Sequence, residues 1–560
     1  MLGVTSHFLR RLWTPLAWVI PLLLLGLGWV AYGWNHESVF FGGSTYFVDG
    51  DGYARMTRVR MLQEAPLVPV RDHAFENFPI GTVPHTTSPV DYLIFGVAAV
   101  FCGFSADPLS LAGAYLSPLL GLSTLGLLAV FWLGRPYVPA ALLLLAVSPI
   151  AVQGFLLGRP DHQSVLMFLF VAALLAEVRL WSESGGGYLS AFAWGLALWV
   201  SLFEPTILLG AILLARFAAG RLRLPWKRAV NATTSRGLAD AAPAGQNCIL
   251  PATQGSAGAC PGLTDVAPLG RNLAPFGPAA VFLGILLFAG LWDGFRVAAF
   301  DERFPRWALN IGELRGGSLD LLCSWVGWLV VPAPVLLIWR YLRTRDPVCL
   351  LFAGLLLLLA GLAFWHIRWG YFLACAFALS LPYLLPVFRW RSVAWAVFLV
   401  SLWPVARDWD ERLYPDDEVF RARGEAVADA VTLREASLHL KDLPTGGVIA
   451  PWWLSPAVVW WSGQPCVAGT SHQSLPGIAD TAAFFLSEGE GTEIVQRRQV
   501  RYVIAYEPER VVSNSAQILG AEVPINPLVT RLYQKPSSVE GFQPIFSNRY
   551  FRVFSVESFE

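Results

Sequence analysis

Charge is what this sequence is short of. Only 14% of its 560 residues are Asp, Glu, Lys or Arg, well under the quarter usual in soluble domains, while 55% are hydrophobic and 24 are tryptophan. That balance excludes an ordinary soluble domain and reads as a polytopic membrane protein. Net charge is missing too. A formal balance of zero gives no footprint for nucleic acid, so no nucleic-acid partner is expected and electrostatics must be argued loop by loop. Cysteine is scarce: of seven, Cys102, Cys323, Cys349 and Cys375 lie in apolar context, where a thiol behaves as a small hydrophobe and not as part of a disulfide framework. Cys248 and Cys260 share a polar loop, but the charge pattern assigns that loop to the cytoplasm, where disulfides do not persist. No small-residue cleavage site follows the first apolar run, Leu16 to Tyr32. With Arg10 and Arg11 ahead of it, this run reads as a retained helix with the N-terminus in the cytoplasm.

Long apolar stretches are abundant. A membrane crossing takes about 20 mostly apolar residues. The stretches near 14–33, 109–133, 138–157, 164–182, 187–203, 205–219, 276–294, 319–340, 348–366, 370–388 and 392–405 predict roughly eleven transmembrane helices. Arg135, Arg179, RLRLPWKR (221–228), RYLRTR (340–345) and RWR (389–391) fall where this count puts the cytoplasm, in keeping with the positive-inside rule. The run from Tyr92 to Phe104 is short, and counting it as a span would break the charge alternation, so it reads as a helix lying at the outer interface. The expected division is a transmembrane domain over 1–405 and an outer-face soluble domain over 406–560. The first holds an outer loop at 34–108 and a cytoplasmic loop at 220–275. The stretch 229–272 has the composition of a flexible loop, and its Asn231-Ala-Thr sequon has no role on the cytoplasmic side. Strand-like RYVIAY (501–506) and YFRVFSV (550–556), with a helical pattern over 422–440, predict a mixed α/β soluble domain.

Polar chemistry concentrates in the outer loops. In VDGDGYARM, Asp49 and Asp51 flank a glycine, a spacing that lets both carboxylates turn toward one hard cation that takes oxygen ligands. The same residues suit a turn in which Asp51 caps a helix beginning near Tyr53. In LLGRPDHQS, Asp161 and His162 precede a membrane helix starting at Ser164, where an acid is again a fitting cap and a juxtamembrane ionisable group is again a functional candidate. IGELRGG places Glu313 before the span at 319, and WHIRWG sets His366 and Arg368 at the outer end of two spans. A guanidinium there suits a phosphate, and it equally suits a snorkelling arginine among tryptophans. PWWLSPAVVWWSGQPC (451–466) brings two Trp-Trp pairs, either as core or as a membrane-docking face.

Taken in order, these motifs resemble the catalytic subunit of oligosaccharyltransferase, a GT-C superfamily enzyme that moves a lipid-linked oligosaccharide onto protein asparagine. The likeness runs along nearly the whole chain, and the sequence is similar as a divergent member. The resemblance implies Asp51, Asp161 and Glu313 as catalytic acids. It implies a Mn²⁺ or Mg²⁺ held by Asp51 and Asp161, with Asp49, His162 and Gln163 as further candidate ligands. Arg368, with His366, would hold the lipid phosphates, and Trp452, Trp453 and Ser455 would face the acceptor. Two departures stand out: the second acid of the second-loop motif is Gln163, and the Asp that follows the Trp pair in the family is Leu454. The expected function is therefore metal-dependent transfer of a glycan from a polyprenyl-(di)phosphate carrier to a protein, lipid or sugar acceptor. The active site would lie on the outer face of a bacterial or archaeal cytoplasmic membrane. A glycan ligase or polymerase, or a transferase to lipid or Ser/Thr, is the alternative. A transporter fits less well, because transporters carry polar groups at the midplane and internal repeats, and no repeat is found here.

Overall fold

The computed structural model of the protein describes residues 15–83, 87–132, 135–182, 186–217, 277–294 and 301–557. Expectations for residues 1–14, and for the loop holding the 221–228 basic run, Asn231, Cys248 and Cys260, fall outside them.

Helices dominate the first two thirds. Four are long and apolar enough to cross a membrane: Pro108–Trp132, His162–Trp181, Pro347–Trp365 and Ile367–Val387. Shorter apolar helices, including Trp18–Tyr32, Val138–Val147, Gly187–Val200, Gly277–Trp292 and Arg391–Ser401, occupy other stretches expected to span. Three expected spans are broken, each for a local reason. The 319–340 stretch divides into Leu319–Val326 and Ala333–Thr344, because Gly327 adopts φ 88° and the carbonyl oxygen of Ser401 lies 2.5 Å from where a Cβ would stand. The 138–157 stretch breaks at Ser148, ahead of Pro149, which opens the Pro149–Gly154 helix. The 392–405 stretch stops at Ser401, and Pro404 sits at the start of a separate helix, Trp403–Leu413.

The run expected to lie at the interface, Tyr92 to Phe104, falls mostly in the 13-residue helix Pro89–Phe101, about 20 Å long and short of the roughly 30 Å hydrocarbon core. It is moored by Asp91, buried between Arg55 at 2.9 Å and Arg58 at 2.6 Å on the helix Gly50–Glu64. This pairing ties Pro89–Phe101 to Gly50–Glu64, whose first turn bears Asp51.

The C-terminal third carries a four-stranded sheet of β1 (Gly447–Ile449), β2 (Val500–Tyr506), β3 (Phe542–Ser547) and β4 (Phe551–Val556), in the order β1-β2-β4-β3. β1 runs parallel to β2 and the other pairs are antiparallel, with Tyr502 opposite Ser555 and Tyr506 opposite Phe551. β2 is apolar at all positions but Arg501, as befits a central strand covered on both faces. The helix Asp417–His439 packs against β4 and β3, and is longer than the 422–440 pattern because Asp416 caps it by accepting from Val419 N at 2.8 Å.

Main-chain bonds join this sheet region to the 34–108 segment. Cys466 N donates to Phe75 O at 2.9 Å, Phe78 N donates to Cys466 O at 3.1 Å, and Arg498 reaches Asn77 Oδ1 at 3.0 Å. The second Trp pair belongs to this seam. Trp460 is 4% exposed beneath the Arg60 guanidinium, and Trp461 packs on Tyr46 and Tyr53, so this pair is core and not a membrane-docking face. The five described cysteines are all unpaired.

Candidate functional site

The helix Gly50–Glu64 begins one turn earlier than its sequence suggests, and Asp49 rather than Asp51 is its cap: Asp49 Oδ1 accepts from Gly52 N at 2.8 Å. Asp51 is thereby released from capping and lies in the first turn, where the positive end of the helix favours an acid. Gly50 is required at this start. A Cβ there would meet Thr470 Cγ2 at 2.8 Å and the Trp453 carbonyl oxygen at 3.2 Å, so the sheet region presses directly on the acid turn. The Thr470 side chain also lies beside the Asp51 carboxylate and favours its charged form.

The second acid arrives on a turn made by Gly158, whose φ of 77° and tight approach to Val39 (2.7 Å from a Cβ position) admit no side chain. The turn throws the 5%-exposed Arg159 into the middle of the acids. Its Nε lies 3.3 Å from Asp49 Oδ2, and Nη2 is 3.6 Å from Asp161 Oδ2 and ion-paired to Glu313. Nη1 donates to the Gln153 carbonyl at 3.0 Å and to the Tyr371 hydroxyl at 2.7 Å. Tyr371 in turn donates to Glu313 at 2.8 Å. Asp161 accepts from His162 N at 2.6 Å and faces His162 Nδ1 at 2.5 Å. The membrane helix starts at His162, two residues before the expected Ser164.

Asp49, Asp161 and Glu313 thus share one guanidinium, Asp51 feels their charge without pairing to Arg159, and the shortage of positive charge shows in the titration of the acids. Asp51 keeps contact with solvent. Even so, crowding by protein, reinforced by the carboxylates of Asp49 and Asp161, pushes it up to about 7. Burial raises Asp49 as well, against the pull of Arg159. For Asp161 burial works upward too, but His162 and Arg159 outweigh it and hold its carboxyl well below the usual range.

Glu313 rides on the 3-10 turn Gly312–Leu314. Two anchors hold its segment. His366 Nδ1 is 2.6 Å from the Leu314 carbonyl, which spends that nitrogen on the main chain. On the other side Trp307 is buried against Trp452, at 5.8 Å between ring centroids. Trp452 Nε1 donates to Asn514 Oδ1 at 2.9 Å, and Asn514 Nδ2 donates to Asn310 Oδ1 at 2.8 Å. Trp452 therefore ties the Glu313 segment to the sheet region. Trp453 lies under Arg510, 5.4 Å from its ring. Ser455, expected to face an acceptor, is wholly buried, with its hydroxyl 3.2 Å from both the Ala450 and Pro451 carbonyls. It opens the helix Ser455–Ser462 and presents nothing to a ligand.

Arg368, on the turn Ile367–Trp369, ion-pairs with Glu204, and its Nε is buried with no hydrogen-bond partner. Gln163, 1% exposed, likewise leaves Oε1 buried and without a partner. Glu204 Oε1, ion-paired with Arg368, also lacks a hydrogen bond, and buried polar atoms in this state beside an acid cluster leave room for a ligand's donors and acceptors.

The donor chemistry suits a hard divalent cation: four carboxylates, an amide oxygen with no partner, and too few positive charges to balance them. Among the described residues, no three His, Cys, Asp or Glu side chains already converge on one metal position, because Arg159 lies between the acids. Sequence reasoning passed over Arg159, Tyr371, Thr470 and Glu204. Glu204 did carry a signal, as the single acid in 187–217, an apolar stretch where an ionisable group is costly.

No protein-family model matches the chain, and neither does any curated protein. Solved structures do. The Archaeoglobus fulgidus oligosaccharyltransferase tethered to an acceptor peptide with the NVT sequon matches at TM-score 0.62 and 15% identity, over 91% of this chain and 71% of that one. The same organism's oligosaccharyltransferase AglB, in complex with an inhibitory peptide and a dolichol-phosphate, matches at TM-score 0.57 and 14% identity, over 91% and 72%. Its complex with Zn and sulfate matches at TM-score 0.57 and 14% identity, over 90% and 70%. The chain has the fold of the GT-C membrane glycosyltransferases, in a divergent sequence, and the likeness at this identity speaks for the fold alone.

Proposed function

We propose that the protein is a divalent-cation-dependent glycosyltransferase. It takes a glycan from a polyprenyl-(di)phosphate carrier and works on the outer face of the membrane to which its basic loops assign the site. The observation that carries this reading is the pairing of Arg368, with its unmet Nε, and a nearby acid cluster in which Asp49, Asp161 and Glu313 surround one guanidinium and Asp51 stands beside them. The fold shared with proteins solved with dolichol-phosphate, with zinc and sulfate, and with an acceptor peptide supports it.

In this reading Arg368 holds the lipid phosphate oxygens through charge-assisted hydrogen bonds. Arg159 and Tyr371 fix Glu313 toward the acid turn, and Asp51 and Glu313 offer oxygens to the acceptor group being glycosylated. Asp49, Asp51, Asp161, Glu313 and Gln163 would hold Mn²⁺ or Mg²⁺, which would neutralise charge developing on the leaving phosphate. Placement does the rest, since a membrane-borne donor and a fixed acceptor need little covalent help.

A second reading of the acceptor has specific support. Leu454 cannot accept a hydrogen bond from a sequon hydroxyl, Ser455 is buried, and Trp452 is committed to Asn514. A site that reads a hydroxyl through a buried carboxylate rejects a substrate lacking it by factors of about 10⁴, and this chain has no such carboxylate at the motif position. The reading therefore extends to sugar or lipid acceptors, as in a glycan ligase or polymerase. The test offers one polyprenyl-diphosphate glycan with N-x-Thr peptide, N-x-Ala peptide and hydroxyl acceptors, with Mn²⁺ or with chelator. Transfer that needs the cation and shows no Thr-over-Ala preference is expected. Transfer that persists in chelator would overturn the cation dependence, and a large Thr preference would return the acceptor to the asparagine sequon.

A further inference from the structure

Glu204 is 1% exposed and stands at the start of a helix over 203–217, where the helix dipole favours its charge. Its Oε2 accepts from Ser201 Oγ at 2.7 Å and its other oxygen is paired with Arg368. This carboxylate takes no part in the acid cluster around Arg159, and the transfer described above does not use it. Among the described residues its ion-pair partner is the arginine assigned to the lipid phosphate, with His162 adding a weaker attraction.

Resting on that assignment of Arg368, we propose that Glu204 is a displaceable counter-ion. It neutralises the guanidinium while the site is empty, and it opposes the phosphate once the site is filled, so that the spent lipid phosphate leaves. The physical case has three parts. The Arg368 side chain is 20% exposed and the Glu204 side chain 1%, so the buried carboxylate and the largely covered guanidinium each need the other while the site is empty. The guanidinium has more donors than one carboxylate can occupy, and the buried Nε awaits an acceptor that Glu204 does not supply. Glu204 is held by Ser201 and by the helix start, so it cannot swing away when a phosphate arrives, and two anions then share one guanidinium at close range. Glu204 is a positioning residue in this scheme: it acts on the lipid phosphate only through Arg368.

The sign of the effect separates this role from simple structural support. A structural acid, once neutralised, should weaken ligand binding, whereas a counter-ion, once neutralised, should strengthen it. The experiment measures binding of polyprenyl phosphate, with inorganic phosphate as a second probe, to the full-length protein and to E204Q, E204D, R368Q and the E204Q/R368Q pair, alongside steady-state turnover. Glu204→Gln should bind polyprenyl phosphate roughly tenfold more tightly, with KM and kcat for the lipid donor falling together as release slows. Glu204→Asp should return to near wild-type affinity, and the double variant should lose the gain. Should E204Q fail to fold alone, polyprenyl phosphate is expected to restore its melting transition by replacing the missing anion, and no restoration overturns the proposal. Unchanged or weaker affinity in a folded E204Q also overturns it. If the wild type itself does not bind polyprenyl phosphate, or binds it equally in R368Q, the assignment of Arg368 has failed instead.

Discussion

Replacing Arg159 by glutamine removes the one cation shared by Asp49, Asp161 and Glu313 while keeping a side chain able to donate to Gln153 or Tyr371. Breaking a buried ion pair from one side costs about 3–5 kcal/mol, because the partner charge is left uncompensated. Here the partners are unevenly screened. The Asp161 side chain is 12% exposed, but Glu313 and Asp49 are 31% and 36% exposed, so the lower end of that range, about 3 kcal/mol, is expected. The 24 tryptophans make intrinsic fluorescence a direct assay for melting of the detergent-solubilised protein. In chelator, R159Q should melt several degrees below the wild type. A divalent cation entering the vacated centre should mend most of the loss, since a ligand at a hundred times its Kd stabilises by about 2.7 kcal/mol. R159Q should therefore gain more from Mn²⁺ than the wild type does. An unchanged midpoint in chelator would show that Arg159 does not hold the acids together, and a drop that Mn²⁺ leaves in place would show that the acids do not hold the cation.

Asp51→Asn and Asp161→Asn should each abolish transfer in a purified assay without loss of fold, and near-normal turnover in both would return these acids to structural roles. Asp51 also carries a pH signature. Its folded carboxyl titrates at about 7, above the unfolded value, so the native state holds a proton that the unfolded chain gives up and cation-free stability falls as pH rises through that window. Asp51→Asn should then melt higher than the wild type at pH 8 in chelator, and a lower midpoint there would contradict the crowding of carboxylates. Asp91 has the opposite sign: burial is outweighed by Arg58 and Arg55, its carboxyl is held below the ordinary range, and its support is present above about pH 4 and lost as pH falls. Asp91→Asn should flatten that acid limb of the stability profile, and an unaltered limb would remove Asp91 from the account. Asn514→Ala cuts two hydrogen bonds worth about 1 kcal/mol each, so turnover should drop several-fold with the donor KM unchanged and proteolysis within 301–314 should quicken. Equal proteolysis would sink the tie between Trp452 and the Glu313 segment.

The parts of the fold legible in sequence were those set by local pattern. β2 and β4 showed as RYVIAY and YFRVFSV because each pairs along its length, and the helix Asp417–His439 showed as periodicity over the half that packs through Leu433, Ala436 and Ser437. The long helices were visible from composition. Their breaks were not, since the stop at Gly327 depends on a carbonyl from Ser401, far along the chain. The acids Asp49, Asp51, Asp161 and Glu313 were visible as charges in apolar surroundings, and the structure gathers them. Their partners were not, because an arginine in a loop looks the same whether it faces water or three carboxylates. Which of Asp49 and Asp51 caps the helix turned on a start three residues earlier than Tyr53, a shift within the ordinary uncertainty of helix ends.

The two arginines of the site are alike in origin and opposite in condition. Both enter from short turns at the ends of membrane helices, and both are paired with acids. Arg159 has spent all three nitrogens, on Asp49, on Gln153 and Tyr371, and on Asp161 and Glu313. A guanidinium in that state has no donor left for a substrate and works as an internal cross-link. Arg368 has one acid and a buried Nε with nothing to donate to. An unmet buried donor carries a standing cost that an incoming acceptor removes, so an anionic ligand gains more at Arg368 than at any fully paired arginine. The consequence is a separation of phenotypes: loss of Arg159 should appear first as lost stability and altered cation response, and loss of Arg368 first as lost affinity for the lipid phosphate at nearly unchanged cation response.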